Sequence, residues 1–259
     1  MAKFILSVDQ STSATKAIIF DENAELVSRS TIEHRQYYPQ SGWVEHDPEE
    51  IYKNTCRAMK EAVEKTDVQH EDIKILSITN QRETVVVWDR KTGKPVYNAI
   101  VWQCQRGKEI CRDLVKAGHT EMIRSKTGLI IDPYFSASGI KWILDNVEGV
   151  REKAVKGEIA CGTIDSWLIF NLTKGKVHAT DHSNACRTML YNIYELKWDK
   201  EILDIMDIPE STMPEVKSSN ALFGELECEE AFPVRLSISG IMGDSHAALF
   251  GQLCLEPGL

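Results

Sequence analysis

The stretch FILSVDQSTSATKAIIF, residues 4–20, is the part of the sequence that decides the fold. Residues 4–8 and 17–20 are apolar runs of strand length, and a small, hydroxyl-rich loop separates them. A turn at 21–24 leads into a third run at 25–31, which we also interpret as a strand. Three short strands with tight connections predict an antiparallel meander, not a strand–helix–strand opening.

Strands and helices alternate after this meander. Asp47 is a suitable N-cap and Pro48 a suitable first residue for a helix, and apolar residues recur at helical spacing as far as Val63. We further predict strands at 73–78, 84–88 and 236–241, and helices at 103–117, 136–146, 164–171 and 245–254. This order predicts an α/β fold with a mixed sheet flanked by helices.

Composition narrows the function classes. The 259 residues are 42% apolar and 27% charged, which is typical of a soluble globular chain. The net charge of −9 and the lack of a basic block argue against nucleic acid as a partner. We expect neither a signal peptide nor a membrane span. The seven cysteines are scattered without a Cys-x-x-Cys pair, so we expect reduced thiols in the cytoplasm.

The loop after the first strand has the residue types that phosphate binding requires. Its backbone amides and the hydroxyls of Thr12 and Ser13 are hydrogen-bond donors, and Lys16 adds positive charge. Asp9, at the carboxyl end of the strand, is placed to hold Mg²⁺ through water. An ordinary hairpin turn rich in Ser and Thr explains the same residues equally well, and the segment is not a Walker loop.

Two further polar segments are candidate sites. Arg82 and Glu83 lie between two apolar strands and offer a donor fork beside an acceptor, which suits adjacent hydroxyls, although a solvated turn is the alternative. Asp244 follows the strand at 236–241 and is either the N-cap of the next helix or a general base facing the cleft. His246 is a rival base, but its position inside the helix is more typical of a structural residue.

Two aromatic residues could pack under the carbon skeleton of a polyol. They are Trp102, which follows the segment NAIV at 98–101, and Tyr134, which follows Asp132 and Pro133. A core position is the alternative for both. Residues 255–259 resemble the start of a linker rather than the end of a domain.

Taken together and in order, these segments resemble the glycerol kinase branch of the FGGY family of carbohydrate kinases. The resemblance lies in DQSTS at 9–13, GWVEHDP at 42–48, ITNQRET at 78–84, NAIVWQC at 98–104, TGL at 127–129, DPYFS at 132–136, GD at 243–244 and AALFGQL at 247–253.

The resemblance implies an actin-like, hexokinase-type fold made of two ribonuclease-H-like lobes. Residues 1–259 would be the N-terminal, substrate-binding lobe, and the nucleotide-binding lobe would lie outside them. The implied activity is the ATP-dependent phosphorylation of glycerol to sn-glycerol 3-phosphate, with Mg²⁺, in a homodimer or homotetramer. Without its second lobe, the chain is expected to be inactive.

Site residues follow from the same resemblance. The glycerol pocket would be lined by Arg82, Glu83, Trp102, Tyr134 and Asp244, with Asp244 as the general base. Asp9 would serve the metal. The ATP phosphates would face Thr12, Ser13, Ala14 and Lys16.

Four positions depart from the family pattern. Ser11 stands where glycine is usual, and Lys16 replaces an arginine, which removes a bidentate fork. Ser245 and His246 replace two glutamines, of which the first contacts substrate in the family. Serine is shorter, so the pocket at Ser245 would be roomier or wetter. A kinase for another polyol or sugar, such as erythritol or xylulose, therefore stays open, as does a non-catalytic polyol-binding lobe.

Overall fold

The computed structural model describes residues 3–229, 232–256 and 258. In chain order its elements are β1 (Phe4–Gln10), β2 (Ala14–Phe20), β3 (Leu26–Glu33), β4 (Gln36–Tyr37), β5 (Glu45–His46), α1 (Pro48–Glu64), β6 (Ile73–Asn80), β7 (Val85–Asp89), β8 (Ala99–Ile100), α2 (Lys108–Lys116), α3 (Thr120–Thr127), α4 (Ser136–Asn146), α5 (Val150–Val155), β9 (Ile159–Thr163), α6 (Ile164–Leu172), β10 (Ala179–Asp181), α7 (His182–Ala185), β11 (Tyr191–Asn192), β12 (Lys197–Trp198), α8 (Lys200–Met206), β13 (Glu215–Lys217), β14 (Leu222–Leu226), β15 (Leu236–Gly243) and α9 (Asp244–Gly251).

A mixed six-stranded sheet forms the centre of the fold. Its strand order is β14–β15–β6–β1–β2–β3. The predicted meander of β1, β2 and β3 is antiparallel, while β6 lies parallel to both β1 and β15. The order 3-2-1 followed by two parallel strands is the ribonuclease-H-like arrangement, so the predicted fold class is confirmed. Parallel strands end at one edge, which brings the residues that follow β1, β6 and β15 together.

Helices α1 and α6 cover one face of this sheet. Asp47 caps α1 by accepting a 2.8 Å hydrogen bond from the Glu49 amide, and Pro48 is the first helical residue. The buried residues of α1 are Pro48 and the residues whose spacing predicted the helix. The latter are Ile51, Thr55, Ala58, Met59, Ala62 and Val63. They pack with alternate residues of β1 and β2, because successive strand residues point to opposite faces.

A second sheet, β4–β5–β8–β7–β9, has its own hydrophobic core. The strand predicted at 84–88 exists as β7, but it pairs antiparallel with β8 and β9 instead of joining the first sheet. Helices α2, α4 and α5 contribute buried residues to this second core. Sequence pattern alone did not separate the two sheets, because apolar strands of both have the same period.

Some predicted boundaries were wrong. The helix predicted at 103–117 begins only at Lys108, because residues 101–107 form turns that tie Gln105 to the Gly42 carbonyl. Gly107 precedes the helix where a Cβ would lie 2.2 Å from Oγ of Ser138. The helix predicted at 245–254 spans Asp244–Gly251.

The opposite face of the six-stranded sheet borders a groove of about 890 Å³ beside α9. Ser7 of β1, Ser77 of β6 and Met242 of β15 are among the residues that line it, and Phe250 of α9, which is 61% exposed, lines its side. Within the described part of the chain, no helix combines the length and apolar character needed to cross a membrane.

Candidate active site

Three strand ends meet at one edge of the six-stranded sheet. Gln10 of β1 and Gly243 of β15 both stand opposite Asn80 of β6 in the strand register. The turn after β1, the loop after β6 and the first turn of α9 are therefore neighbours. A 3.0 Å hydrogen bond from Nε2 of Gln81 to Oε1 of Gln10 joins the first two.

The polar loop after β6 is buried, unlike a solvated turn. Gln81, Glu83 and Thr84 are between 0% and 4% exposed. Thr84 Oγ1 donates to Oε1 of Gln81 at 2.8 Å, and Ser136 Oγ donates to the Glu83 carbonyl at 3.0 Å. Burying a carboxylate such as that of Glu83 requires charged or hydrogen-bonding partners, which the neighbouring elements supply.

Arg82 links this loop to the strand-to-helix turn at Asp244. Its Nε lies 3.2 Å from Oδ1 of Asp244, as an ion pair rather than a well-aligned hydrogen bond. Its Nη2 lies 3.8 Å from Oε1 of Glu83. The Arg82 side chain crosses Gly243, where a Cβ would lie 2.6 Å from the Arg82 Cγ. Glycine at 243 is thus explained by close approach, since its φ of −61° suits any residue.

Asp244 is the first residue of α9, and the N-cap is Gly243, so the alternative of Asp244 as N-cap does not hold. The Asp244 carboxylate accepts a 2.7 Å hydrogen bond from the Ser245 amide and is 46% exposed. His246 is half-buried, and its Nδ1 has no hydrogen-bond partner among the described residues. Burial, followed by the nearby charge of Arg82, lowers the pKa of His246. Of these two groups, Asp244 is the one open to a ligand.

The two candidate aromatic residues lie together, are partly buried and pack against the second core. The rings of Trp102 and Tyr134 are 5.5 Å apart, edge to face. Nε1 of Trp102 donates a 3.0 Å hydrogen bond to Oγ1 of Thr12. This bond connects the residues predicted to hold substrate with the loop predicted to hold phosphate.

Arg187, which the sequence reading missed, completes the charge arrangement. Its Nε donates a 2.8 Å hydrogen bond to Oε1 of Glu83. Its guanidinium centre lies 5.0 Å from the ring of Phe135 and 5.8 Å from that of Tyr134. Arg187 follows the short helix α7, 104 residues beyond Glu83. No local pattern marks an isolated arginine at such a distance as part of a site.

The loop after β1 is a tight hairpin turn, in which the Ser11 amide donates to the Ala14 carbonyl at 2.9 Å. Nζ of Lys16, on β2, lies 2.8 Å from Oδ2 of Asp9, its register partner on β1. Both side chains are partly exposed, at 41% and 29%. The hairpin alternative thus describes the backbone, while the side chains at its end remain available to a ligand.

The side chains around Asp9 show what kind of metal site this region could form. Within the described residues there is no group of three or more His, Cys, Asp or Glu side chains able to hold one. Mg²⁺ bound to phosphates needs only one or two protein carboxylates, the rest of its ligands being phosphate oxygens and water. Asp9 therefore fits a metal that arrives with a phosphate ligand.

Known proteins resemble this chain in sequence and in fold. Residues 4–251 match the FGGY family of carbohydrate kinases, N-terminal domain. The chain belongs to this family. It is 58% identical to glycerol kinase 1 of Thermotoga maritima over 96% of its length and 50% of that protein. It is 54% identical to a glycerol kinase of Caldanaerobacter subterraneus over its whole length and 52% of that protein.

A solved structure of a family member agrees with the fold. Plasmodium falciparum glycerol kinase with ADP superimposes with a TM-score of 0.94 at 40% identity, over 98% of this chain and 51% of that one. A gluconate kinase of Lactobacillus acidophilus superimposes with a TM-score of 0.86 at 23% identity, which shows the shared fold alone. The FGGY chain described here spans about half the length of the curated relatives it matches.

Proposed function

We propose that this FGGY chain is the substrate-binding lobe of an ATP-dependent glycerol kinase, which converts glycerol to sn-glycerol 3-phosphate. The observation that carries the proposal is the placement of Asp244, a partly exposed carboxylate 3.2 Å from Arg82 at the meeting point of three strand ends. Relatives named glycerol kinase, at 54–58% identity over nearly the whole chain, support glycerol as the substrate.

Arg82 and Glu83 would form hydrogen bonds with the substrate hydroxyls that do not react. Arg82 offers donors, and the Glu83 carboxylate, fixed by the Arg187 Nε at 2.8 Å, offers an acceptor. A substrate lacking one hydroxyl would leave buried polar groups unpaired, which is the strongest form of discrimination such a site has. The edges of Trp102 and Tyr134 would contact the carbon skeleton.

Asp244 would act as the general base. Its carboxylate takes the proton of a terminal hydroxyl while that oxygen attacks the γ-phosphorus in line. The new O–P bond forms as the bond from the γ-phosphorus to the β–γ bridging oxygen breaks, so ADP leaves. Arg82, whose Nε lies 3.2 Å from Oδ1 of Asp244, holds the carboxylate in its orientation. Ser245, whose hydroxyl lies 3.3 Å from Oδ1 of Asp244, would contact the substrate at the same edge.

The hairpin after β1 would face the phosphates of ATP. The amides and hydroxyls of Thr12 and Ser13, the amide of Ala14 and the Lys16 ammonium are the proposed donors, and Asp9 would hold Mg²⁺ through water. Mg²⁺ supplies charge neutralisation of the phosphates when it is bound. Asp9 and Lys16 form an ion pair with a separation of 2.8 Å, in which the two opposite charges compensate each other.

The remainder of the ATP site would belong to a second lobe. The relatives are about twice as long as this chain, and α9 presents Leu249 and Phe250 at 52% and 61% exposure beside the open groove. We propose that residues 1–259 form the substrate-binding domain, that the nucleotide-binding lobe covers this side, and that the whole enzyme is a cytoplasmic homodimer or homotetramer.

The test uses a completed enzyme, in which this chain is continued by the second half of Thermotoga maritima glycerol kinase 1. ADP release is followed in a coupled assay with glycerol, erythritol and xylulose as acceptors. We expect turnover with glycerol and at least 100-fold lower kcat/KM with the other two. Preference for erythritol or xylulose would overturn glycerol as the substrate. Glycerol-dependent ADP release by the isolated chain would overturn the need for a second lobe.

A further inference from the structure

Two cysteines far apart in sequence are in contact in the fold. The Sγ atoms of Cys56, on α1, and Cys228, in the segment between β14 and β15, are 3.3 Å apart although 172 residues separate them. The bond length of a disulfide is about 2.05 Å, so the two sulfur atoms are about 1.3 Å beyond bonding distance. Both residues are half-buried and pack against the core under the six-stranded sheet.

Their surroundings hold the two thiols in this arrangement. Tyr52 lies one helical turn before Cys56, and its hydroxyl donates to Sγ of Cys228 at 3.7 Å. The Glu227 amide donates to the Leu172 carbonyl at 2.7 Å, and the Phe232 amide donates to the Cys228 carbonyl at 2.8 Å. Phe232 is 1% exposed and belongs to the hydrophobic core under the six-stranded sheet. Cys228 thus lies on backbone that is held in place on both sides.

We propose that Cys56 and Cys228 form a redox-active dithiol, which hydrogen peroxide converts to an intramolecular disulfide. The thiolate of one cysteine attacks a peroxide oxygen, giving a sulfenic acid and hydroxide, which takes up a proton to become water. The second thiol attacks the sulfenic sulfur, so the S–S bond forms and another water leaves. Two thiols are oxidised by two electrons while one peroxide is reduced to two waters.

Disulfide formation would tie α1 to the segment that leads into β15. The two cysteines are 172 positions apart in sequence, and a cross-link over such a length removes much of the entropy of the unfolded chain. The tie lies at the opposite end of β15 from Asp244, so it acts on stability and not on the candidate active site. The disulfide form would therefore be the more heat-resistant form of the chain, whatever substrate the protein has.

Peptide mapping of the 259-residue chain tests this directly. The reduced chain is treated with one equivalent of hydrogen peroxide, blocked with iodoacetamide and digested with trypsin without reduction. Cys56 and Cys228 fall in the tryptic peptides 54–57 and 218–235, each of which contains a single cysteine. We expect these two peptides to appear joined, at the mass of their sum less two hydrogens. Joining of other cysteines, or sulfinic acid at Cys56 without a joined peptide, would overturn the proposal.

Thermal unfolding provides the second measurement. The Tm of the oxidised chain should exceed that of the reduced chain by about 5 to 10 °C, given the usual gain from a long-loop disulfide in a domain of this size. Cys56→Ser and Cys228→Ser should each lose both the joined peptide and the shift. Cys186→Ser, which removes another half-buried thiol, should keep both. An equal Tm for the oxidised and reduced chains would contradict the proposed stabilisation.

Discussion

Nε of Arg187 donates a 2.8 Å hydrogen bond to Oε1 of Glu83, a carboxylate that is only 4% exposed. The two residues come from loops 104 positions apart in the chain. Burial of an unpaired carboxylate is costly, and a hydrogen bond to a charged group contributes about 1.5–3 kcal/mol. Arg187 therefore stabilises Glu83 in the position of the acceptor that we propose for a substrate hydroxyl.

Replacing Arg187 should weaken the binding of glycerol more than it slows the reaction. In the completed enzyme, Arg187→Ala should raise the KM for glycerol about 10- to 100-fold, since the lost hydrogen bond contributes about 1.5–3 kcal/mol. The KM for ATP should stay within a factor of about three. The KM for glycerol of Arg187→Lys should lie between that of the unchanged enzyme and that of Arg187→Ala. Steady-state kinetics with each substrate varied makes this measurement.

Arg235→Ala is the matched control, because it removes an arginine whose partner Glu225 is exposed at the surface. It should leave both KM values unchanged. Equal losses for glycerol and ATP in Arg187→Ala would contradict the role assigned to Arg187.

Asp244→Asn should strongly reduce turnover while leaving the binding of glycerol intact. An amide cannot accept the proton of the attacking hydroxyl, so kcat of the completed enzyme should fall by about 10²–10⁴. Calorimetry should still detect glycerol binding. Asp204→Asn, at an exposed carboxylate paired with Lys200 on α8, should keep full activity. Turnover within tenfold of the unchanged enzyme would exclude Asp244 as the base.

Gly243→Ala should damage the site by steric displacement of Arg82. The added Cβ would lie 2.6 Å from Cγ and 2.7 Å from Cδ of Arg82, so the side chain must move. A displacement of about 1 Å at a positioning residue costs on the order of 10²-fold in rate, which we expect in kcat/KM of the completed enzyme.

Gly251→Ala is the control for helix propensity and local stability. It lies at the end of the same helix, where an added Cβ meets nothing within 4 Å. It should keep full kcat/KM. Full activity in Gly243→Ala as well would refute the close approach of Arg82 as the reason for glycine.

Asp165 should make the stability of the chain depend on pH. It lies fully buried at the start of α6, where burial, and then the charge of Asp181, raises its pKa to about 7. Thr163 and Thr180 hydroxyls lie 2.5 and 2.6 Å from its two carboxyl oxygens. The folded chain therefore holds a proton on Asp165 that the unfolded chain, with an aspartate pKa near 3.8, releases.

Because the folded state retains this proton, the stability of the chain should decrease as pH rises. Between pH 4 and pH 7 the folded state binds more protons than the unfolded state at this group, so its contribution to the free energy of unfolding falls as pH rises. Asp165→Asn mimics the protonated form and removes the dependence. The free energy of unfolding of both chains is measured with urea at pH 4 to 8. From pH 4 to pH 8, the variant should gain up to about 4 kcal/mol relative to the unchanged chain. A difference independent of pH would contradict the raised pKa.

Local sequence patterns accounted for part of the fold. The meander, the helix at α1 with its cap, and the strands β6 and β15 depend on periodicity and capping, which act over a few residues. The short strands β4, β5 and β8 carry too few residues to show a period, and the pairing of β5 with β8 joins segments more than 50 residues apart. Hence the second core was not predicted.

The residues themselves determined which groups are chemically able to act: Asp9, Lys16, Arg82, Glu83 and Asp244 were recognised before any contact was known. Tertiary structure alone decided their partners. It placed Arg187 on Glu83, Trp102 on Thr12 and Cys56 on Cys228, because these contacts join loops and helices that only strand pairing brings together. A side chain's chemistry is local, whereas the distance between two side chains separated by a hundred residues is a property of the folded chain.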